Sequence, residues 1–138
     1  MPKPPVIAVI EDDAAMREAL SELLEVLAFA CVVFDRAEAF LAAHSRGPFD
    51  CLITDLHLPG ISGLELQRKL KVLGSSIPVI VITSSRDSLS RNRAMQEGAF
   101  AYLTKPFSDE ALIGHVKAAL NEIDRLRKPA GGQKPSTR

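Results

Sequence analysis

The chain has 138 residues, an apolar share of 46%, no Trp, and 17 basic against 17 acidic side chains. That length sets one domain able to bury roughly two-thirds of its unfolded surface. Five of the basic groups (Arg125, Arg127, Lys128, Lys134, Arg138) crowd residues 125–138, which hold no acid, so residues 1–124 carry 12 basic against 17 acidic groups, a net of −5. An acidic body with no basic aromatic face argues against direct nucleic-acid binding. The longest apolar run, Val26 to Phe34, is far short of the ~18 residues a membrane span needs.

Residues 1–4 form a Pro-rich lead, without the apolar core of a secretory signal. Val6 to Ile10 is apolar on both faces and predicts a central parallel strand, with Glu11, Asp12 and Asp13 at its carboxyl end. A helix is expected over about 14–27, with Met16, Ala19, Leu20, Leu23, Leu24 and Leu27 on one stripe and Asp12 or Asp13 as its cap. Cys31 to Phe34 is a second strand, and Ala37 to Ala43 a second helix.

Asp50 to Gly63 holds a short apolar run that ends in Asp55 and meets a Pro-Gly turn at once, the pattern of a buried parallel strand. A helix follows over Leu64 to Leu73, with Leu64, Leu66, Leu70 and Leu73 as its apolar residues, ending at Gly74. Pro78 to Ile82 is the fourth strand and runs into Thr83. A fourth helix over Asp87 to Glu97 stops at Gly98, and Ala99 to Leu103 is a fifth strand leading to Thr104-Lys105-Pro106. The last helix, Ser108 to Leu126, is capped by Ser108 and turns Leu112, Val116, Ala119 and Ile123 inward. Residues 127–138 have the composition of a basic Pro/Gly linker or tail, which leaves 5–126 as the folded unit.

Alternating strands and helices predict an α/β fold, a flavodoxin-like (βα)5 doubly wound parallel sheet with strand order 2-1-3-4-5. Cys31 and Cys51 then flank a third strand at about 9–10 Å, too far for a disulfide, and read as small core residues. Strands 1 and 3 adjoin where the order reverses, which gathers Glu11, Asp12 and Asp55 into one crevice. Converging carboxylates repel one another, and a hard divalent cation such as Mg²⁺ relieves that repulsion. Thr83 adds a hydroxyl and Lys105 an ammonium from the neighbouring strand ends. A carboxylate nucleophile, a cation site, a hydroxyl and a second cation are the parts that phosphoryl transfer to an aspartate requires.

These residues resemble, over about 5–124, the receiver domain of the two-component response-regulator family. The motifs are the acids after strand 1, Asp55 followed by Leu-His-Leu-Pro-Gly, Thr83, and Gly98-Ala-Phe-Ala-Tyr-Leu-Thr-Lys-Pro-Phe107. The resemblance implies that Asp55 accepts phosphate from a sensor histidine kinase or phosphotransfer protein, in the cytoplasm. It also implies Asp12 and Asp55 as Mg²⁺ ligands, Glu11 acting through water, and the main-chain carbonyl of His57 as a further ligand. Thr83 and Lys105 would bind phosphate oxygens, Thr83 and Tyr102 would switch on activation, and Lys105–Pro106 would be cis. The signal would pass through helix 4, strand 5 and helix 5 to an effector, an output domain or a second copy. Such a switch catalyses only its own phosphorylation and hydrolysis.

The rival reading is a Mg²⁺ phosphatase of the haloacid-dehalogenase type, which needs a second Asp two residues after the first, where this chain has His57. A flavodoxin-like FMN binder is disfavoured because Glu11, Asp12 and Asp13 would repel its phosphate. Two departures from the family pattern carry expectations. Ala28 stands where Gly often ends the first helix, so the turn is made differently or is strained. Arg91 and Asn92 leave the fourth helix few apolar contacts beyond Leu89, Ala94 and Met95, which predicts loose packing and easy movement.

Overall fold

A computed structural model describes residues 3–47 and 49–127, with side-chain surroundings through residue 122. The elements alternate strictly: β1 (Val6–Ile10), α1 (Ala14–Val26), β2 (Ala30–Phe34), α2 (Ala37–His44), β3 (Cys51–Asp55), α3 (Gly63–Val72), β4 (Val79–Thr83), α4 (Ser88–Gln96), β5 (Ala101–Thr104) and α5 (Asp109–Arg127). The sheet is wholly parallel, in the order β2-β1-β3-β4-β5, as the pattern predicts. The expected linker beyond Arg127 and the inward position of Ile123 lie outside what is described.

Residues alternate between the two faces of each central strand, which is why β1, β3 and β4 read as unbroken apolar runs. Ile7, Val9, Ile53, Ile80 and Ile82 meet Leu20 and Leu24 of α1 and Leu112, Val116 and Ala119 of α5. Ala8, Ile10, Leu52 and Val81 meet Phe40 of α2, Leu66 and Leu70 of α3 and Ala94 of α4 on the other face. Cys31 and Cys51 each pair with Ile7 from opposite sides, so β1 separates them, and burial pushes the Cys51 thiol up to about 12.

Not every residue of the helix stripes is buried. Ala19 and Leu27 of the first stripe are exposed, and Leu73 is 66% exposed because it is the C-cap of α3, where the chain turns away from the sheet. β5 starts two residues later than expected because Ala99 N–H is spent closing α4, on Ala94 O at 3.1 Å. α4 buries only Ala94; Leu89 and Met95 are half exposed, and Arg91 and Asn92 face water. Polar bonds supplement that thin apolar anchor. Gln67 Nε2 donates to Ala94 O at 3.0 Å, while Arg68 and Lys71 pair with Glu97 at 3.0 and 3.1 Å.

Candidate functional site

β1 and β3 lie side by side at the reversal of strand order, with Ile10 level with Thr54. The next residues, Glu11 and Asp55, therefore leave the sheet at one height and face a common crevice. Glu11 and Asp55 are buried, and Asp12 is exposed at the rim. One carboxylate oxygen from each of the three lies within 4.8 Å of the others. Asp13 is not in this cluster; its side chain accepts from Ala15 N–H and caps α1.

Lys105 reaches the crevice from the end of β5. Its Nζ donates to Glu11 Oε1 at 2.7 Å and to Asp55 Oδ2 at 2.8 Å. The Lys105 main-chain N–H is fixed on Thr83 O at 2.7 Å, and the Lys105–Pro106 bond is cis. Burial is the largest influence on the ammonium and pulls its pKa down, but the bonds from Asp55 and Glu11 together outweigh it and hold the pKa above its ordinary value. Glu11 is pushed above the usual carboxylate range, first by desolvation and further by the Asp55 charge, with the Lys105 and Asp13 bonds pulling back. Three carboxylates against one ammonium leave two formal negative charges in a partly buried cleft. Oxygen donors at that spacing and charge fit a hard divalent cation of the Mg²⁺ kind.

The main chain orients these carboxylates. His57 N–H donates to Asp55 Oδ1 at 3.0 Å, and Asp13 N–H to Glu11 Oε2 at 3.0 Å. Gly63 makes the close turn possible. A Cβ there would sit 2.5 Å from Asp55 O and 2.9 Å from Leu56 Cα, and Gly63 N–H closes the loop on Leu56 O at 2.9 Å. Arg17 Nη1 donates to Glu11 O at 2.8 Å. Neither Gly63 nor Arg17 is singled out by the sequence pattern, since a glycine after a turn and a cation on a first helical turn are both commonplace.

Thr83 is fully buried one residue beyond the level of Asp55, and its Oγ1 accepts from Ser85 N–H at 3.1 Å. Among the described residues it makes no bond to Asp55. Tyr102 packs its ring into the α2–α4 side of the core, and its buried hydroxyl has no hydrogen-bond partner among the described residues. Burial raises the phenol pKa, Asp87 adds to the shift, and Arg91 partly offsets it. The geometry thus joins Glu11, Asp12, Asp55 and Lys105 in one site, and leaves Thr83 and Tyr102 on the β4–β5 side of it.

Residues 7–117 match the response regulator receiver domain. The chain belongs to that family. This receiver domain is 37% identical over 122 residues to the transcriptional regulatory protein FixJ of Bradyrhizobium diazoefficiens, covering 88% of this chain and 60% of that protein. It is 39% identical over 125 residues to the response regulator protein TodT of Pseudomonas putida, covering 91% of this chain and 55% of that one. Among solved structures, FixJ-N superposes with a TM-score of 0.81 at 32% identity over 94% of this chain and 99% of that one. Full-length FixJ from B. japonicum superposes at 0.84 with 35% identity, over 91% of this chain and 62% of that one. The receiver domain therefore spans a little over half the length of the curated relatives it matches. The acidic crevice lies at the carboxyl ends of β1 and β3, and no helix among the described residues is long and apolar enough to cross a membrane.

Proposed function

We propose that Asp55 is the acceptor of a phosphoryl group from a sensor histidine kinase or a phosphotransfer protein in a cytoplasmic signalling pathway. The observation that carries this reading is the bridge of Lys105 across Glu11 and Asp55, beside a third carboxylate that leaves the cluster short of positive charge. In the transfer, one Asp55 carboxylate oxygen forms a bond to phosphorus as the bond from phosphorus to the donor imidazole nitrogen breaks, and the electron pair stays on the imidazole. His57 N–H holds the other carboxylate oxygen and so sets the direction of attack. Lys105, already on Asp55, supplies an ammonium for the oxygens of the arriving group.

Asp12, Asp55 and the main-chain carbonyl of His57 would hold Mg²⁺ directly, and Glu11 through a water. When bound, the cation neutralises the oxygens that gather charge during transfer. Thr83 Oγ1 already accepts from Ser85 N–H, so a shift of its hydroxyl toward the phosphorylated site is tied to the β4–α4 loop. Tyr102 follows that loop, and the surface formed by α4, β5 and α5 is biased toward an effector, an output domain or a second phosphorylated copy. The thin apolar anchor of α4 suits a helix that must shift.

Incubation with acetyl phosphate and Mg²⁺ tests the reading by intact-protein mass. Wild type gains one phosphoryl group, and Asp55→Asn gains none. Absence of labelling in wild type would remove the proposal. Sustained hydrolysis of a generic phosphoester would favour the phosphatase reading, against which His57 stands where a general acid would be needed.

A further inference from the structure

The loop between β3 and α3, residues 56–62, carries His57 past the acceptor. Its ends are secured by the fold: Leu56 N–H donates to Ile82 O at 3.2 Å, and Gly63 N–H donates to Leu56 O at 2.9 Å. Its tip has a separate anchor. Ile61 N–H donates to Glu38 Oε2 at 3.3 Å, reaching 23 residues back along the chain. Gly60, at φ 74°, lays its backbone so closely against the same carboxylate that any Cβ would strike it.

Glu38 stands exposed in the first turn of α2, where the helix dipole favours a negative side chain, on a helix that buries Ala37 and Phe40. The other end of α2 is also tied, because His44 Nε2 lies 3.1 Å from Ser75 Oγ and the imidazole stacks on Phe40 with centroids 5.2 Å apart. Ser75 follows α3, so α2 is bonded to the chain on both sides of α3. Moving α2 away would release the loop tip at one end and the α3–β4 connection at the other.

We propose that Glu38 is a positioning residue for the acceptor site. It fixes the tip of the loop, and through the tip the main chain at His57, whose N–H orients Asp55 and whose carbonyl would hold the cation in the reading above. The proposal rests on that reading, and it assigns α2 a part that none of its residues plays by touching the site. The competing account is a surface hydrogen bond with no effect beyond its own atoms.

The test compares wild type, Glu38→Ala and Glu38→Gln, whose amide oxygen still accepts from Ile61 N–H. Amide hydrogen exchange reports the brace. In Glu38→Ala the Ile61 amide should exchange about 3–10-fold faster, the worth of one hydrogen bond, with β1 amides unchanged and Glu38→Gln close to wild type. A Mg²⁺ titration followed by amide chemical shifts reports the site, and Glu38→Ala should bind about 3–5-fold more weakly, with Glu38→Gln restoring affinity. Unchanged Ile61 exchange in Glu38→Ala overturns the brace. Faster exchange with unchanged Mg²⁺ affinity, or a Glu38→Gln variant as impaired as Glu38→Ala, overturns the positioning role while leaving the acceptor reading intact. A wild type whose site amides ignore Mg²⁺ overturns the cation reading itself, and the positioning role with it.

Discussion

Replacing Ala28 by Gly should stabilise the protein. α1 ends at Leu27, and Ala28 follows in the left-handed region at φ 68°. Its N–H donates to Glu25 O at 3.0 Å and Phe29 N–H donates to Leu24 O at 3.1 Å, which together make a Schellman motif. The same pair of bonds closes α3, where Gly74 and Ser75 donate to Lys71 O and Leu70 O, and α4, where Gly98 and Ala99 donate to Met95 O and Ala94 O. The left-handed position is Gly at both of those ends, with φ 75° and 95°. Three copies of one turn therefore differ in whether a Cβ must be held where it is disfavoured.

A left-handed alanine costs about 1–2 kcal/mol, and a glycine's extra freedom in the unfolded chain returns about 0.4–1 kcal/mol of that. Ala28 is exposed, so its methyl gives up little packing. The net is a gain of about 0.5–1 kcal/mol, or a rise in Tm of about 2–4 °C for a chain of this size. Gly74→Ala supplies the reverse experiment, since a Cβ there meets nothing within 4 Å and the loss is purely conformational. Urea titration followed by far-ultraviolet circular dichroism measures both. An Ala28→Gly variant less stable than wild type, with an unchanged urea slope, would refute this reasoning, as would a Gly74→Ala variant that loses nothing.

Gly63→Ala should cost about 2–3 kcal/mol, because the two clashing atoms, Asp55 O and Leu56 Cα, are backbone and cannot step aside as a side chain can. The same variant should accept phosphate from acetyl phosphate more slowly than wild type, and equal labelling rates would show that the acceptor tolerates a displaced backbone. His44 carries a lowered pKa through burial, so the unfolded chain takes up its proton first. That contribution to stability is intact above about pH 6.5, the unfolded value, and is lost as pH falls through the folded one. His44→Leu should flatten the slope of stability between neutral pH and pH 5, measured by urea midpoints; an unchanged slope would place the acid sensitivity elsewhere.

Much of this site was legible in one dimension because its parts sit at the ends of strands. An apolar run buried on both faces announces its own end, and Glu11, Asp55 and Thr83 each stand at the end of such a run, whereas Lys105 follows the half-buried edge strand β5. The strand order then brings the first two together, since parallel strands with short crossovers admit few arrangements. Glu38, Arg17 and Gly63 had no such marker. Each acts on the backbone of another segment, and no periodicity records that pairing.

The amino-acid pattern alone determined the ten elements, the doubly wound sheet and the crevice where acids from β1 and β3 meet, because burial imposes periods of two and 3.6 on any chain that folds this way. Tertiary structure alone decided how the charges are shared. Lys105 divides its protons between Glu11 and Asp55, Thr83 is engaged by Ser85, and the exposed Leu73 shows that an apolar stripe does not say where its helix stops. The reason is reach: a local pattern reports which face a residue prefers, whereas a hydrogen bond spanning 94 residues, like that from Lys105 to Glu11, exists only once the strands are stacked in order.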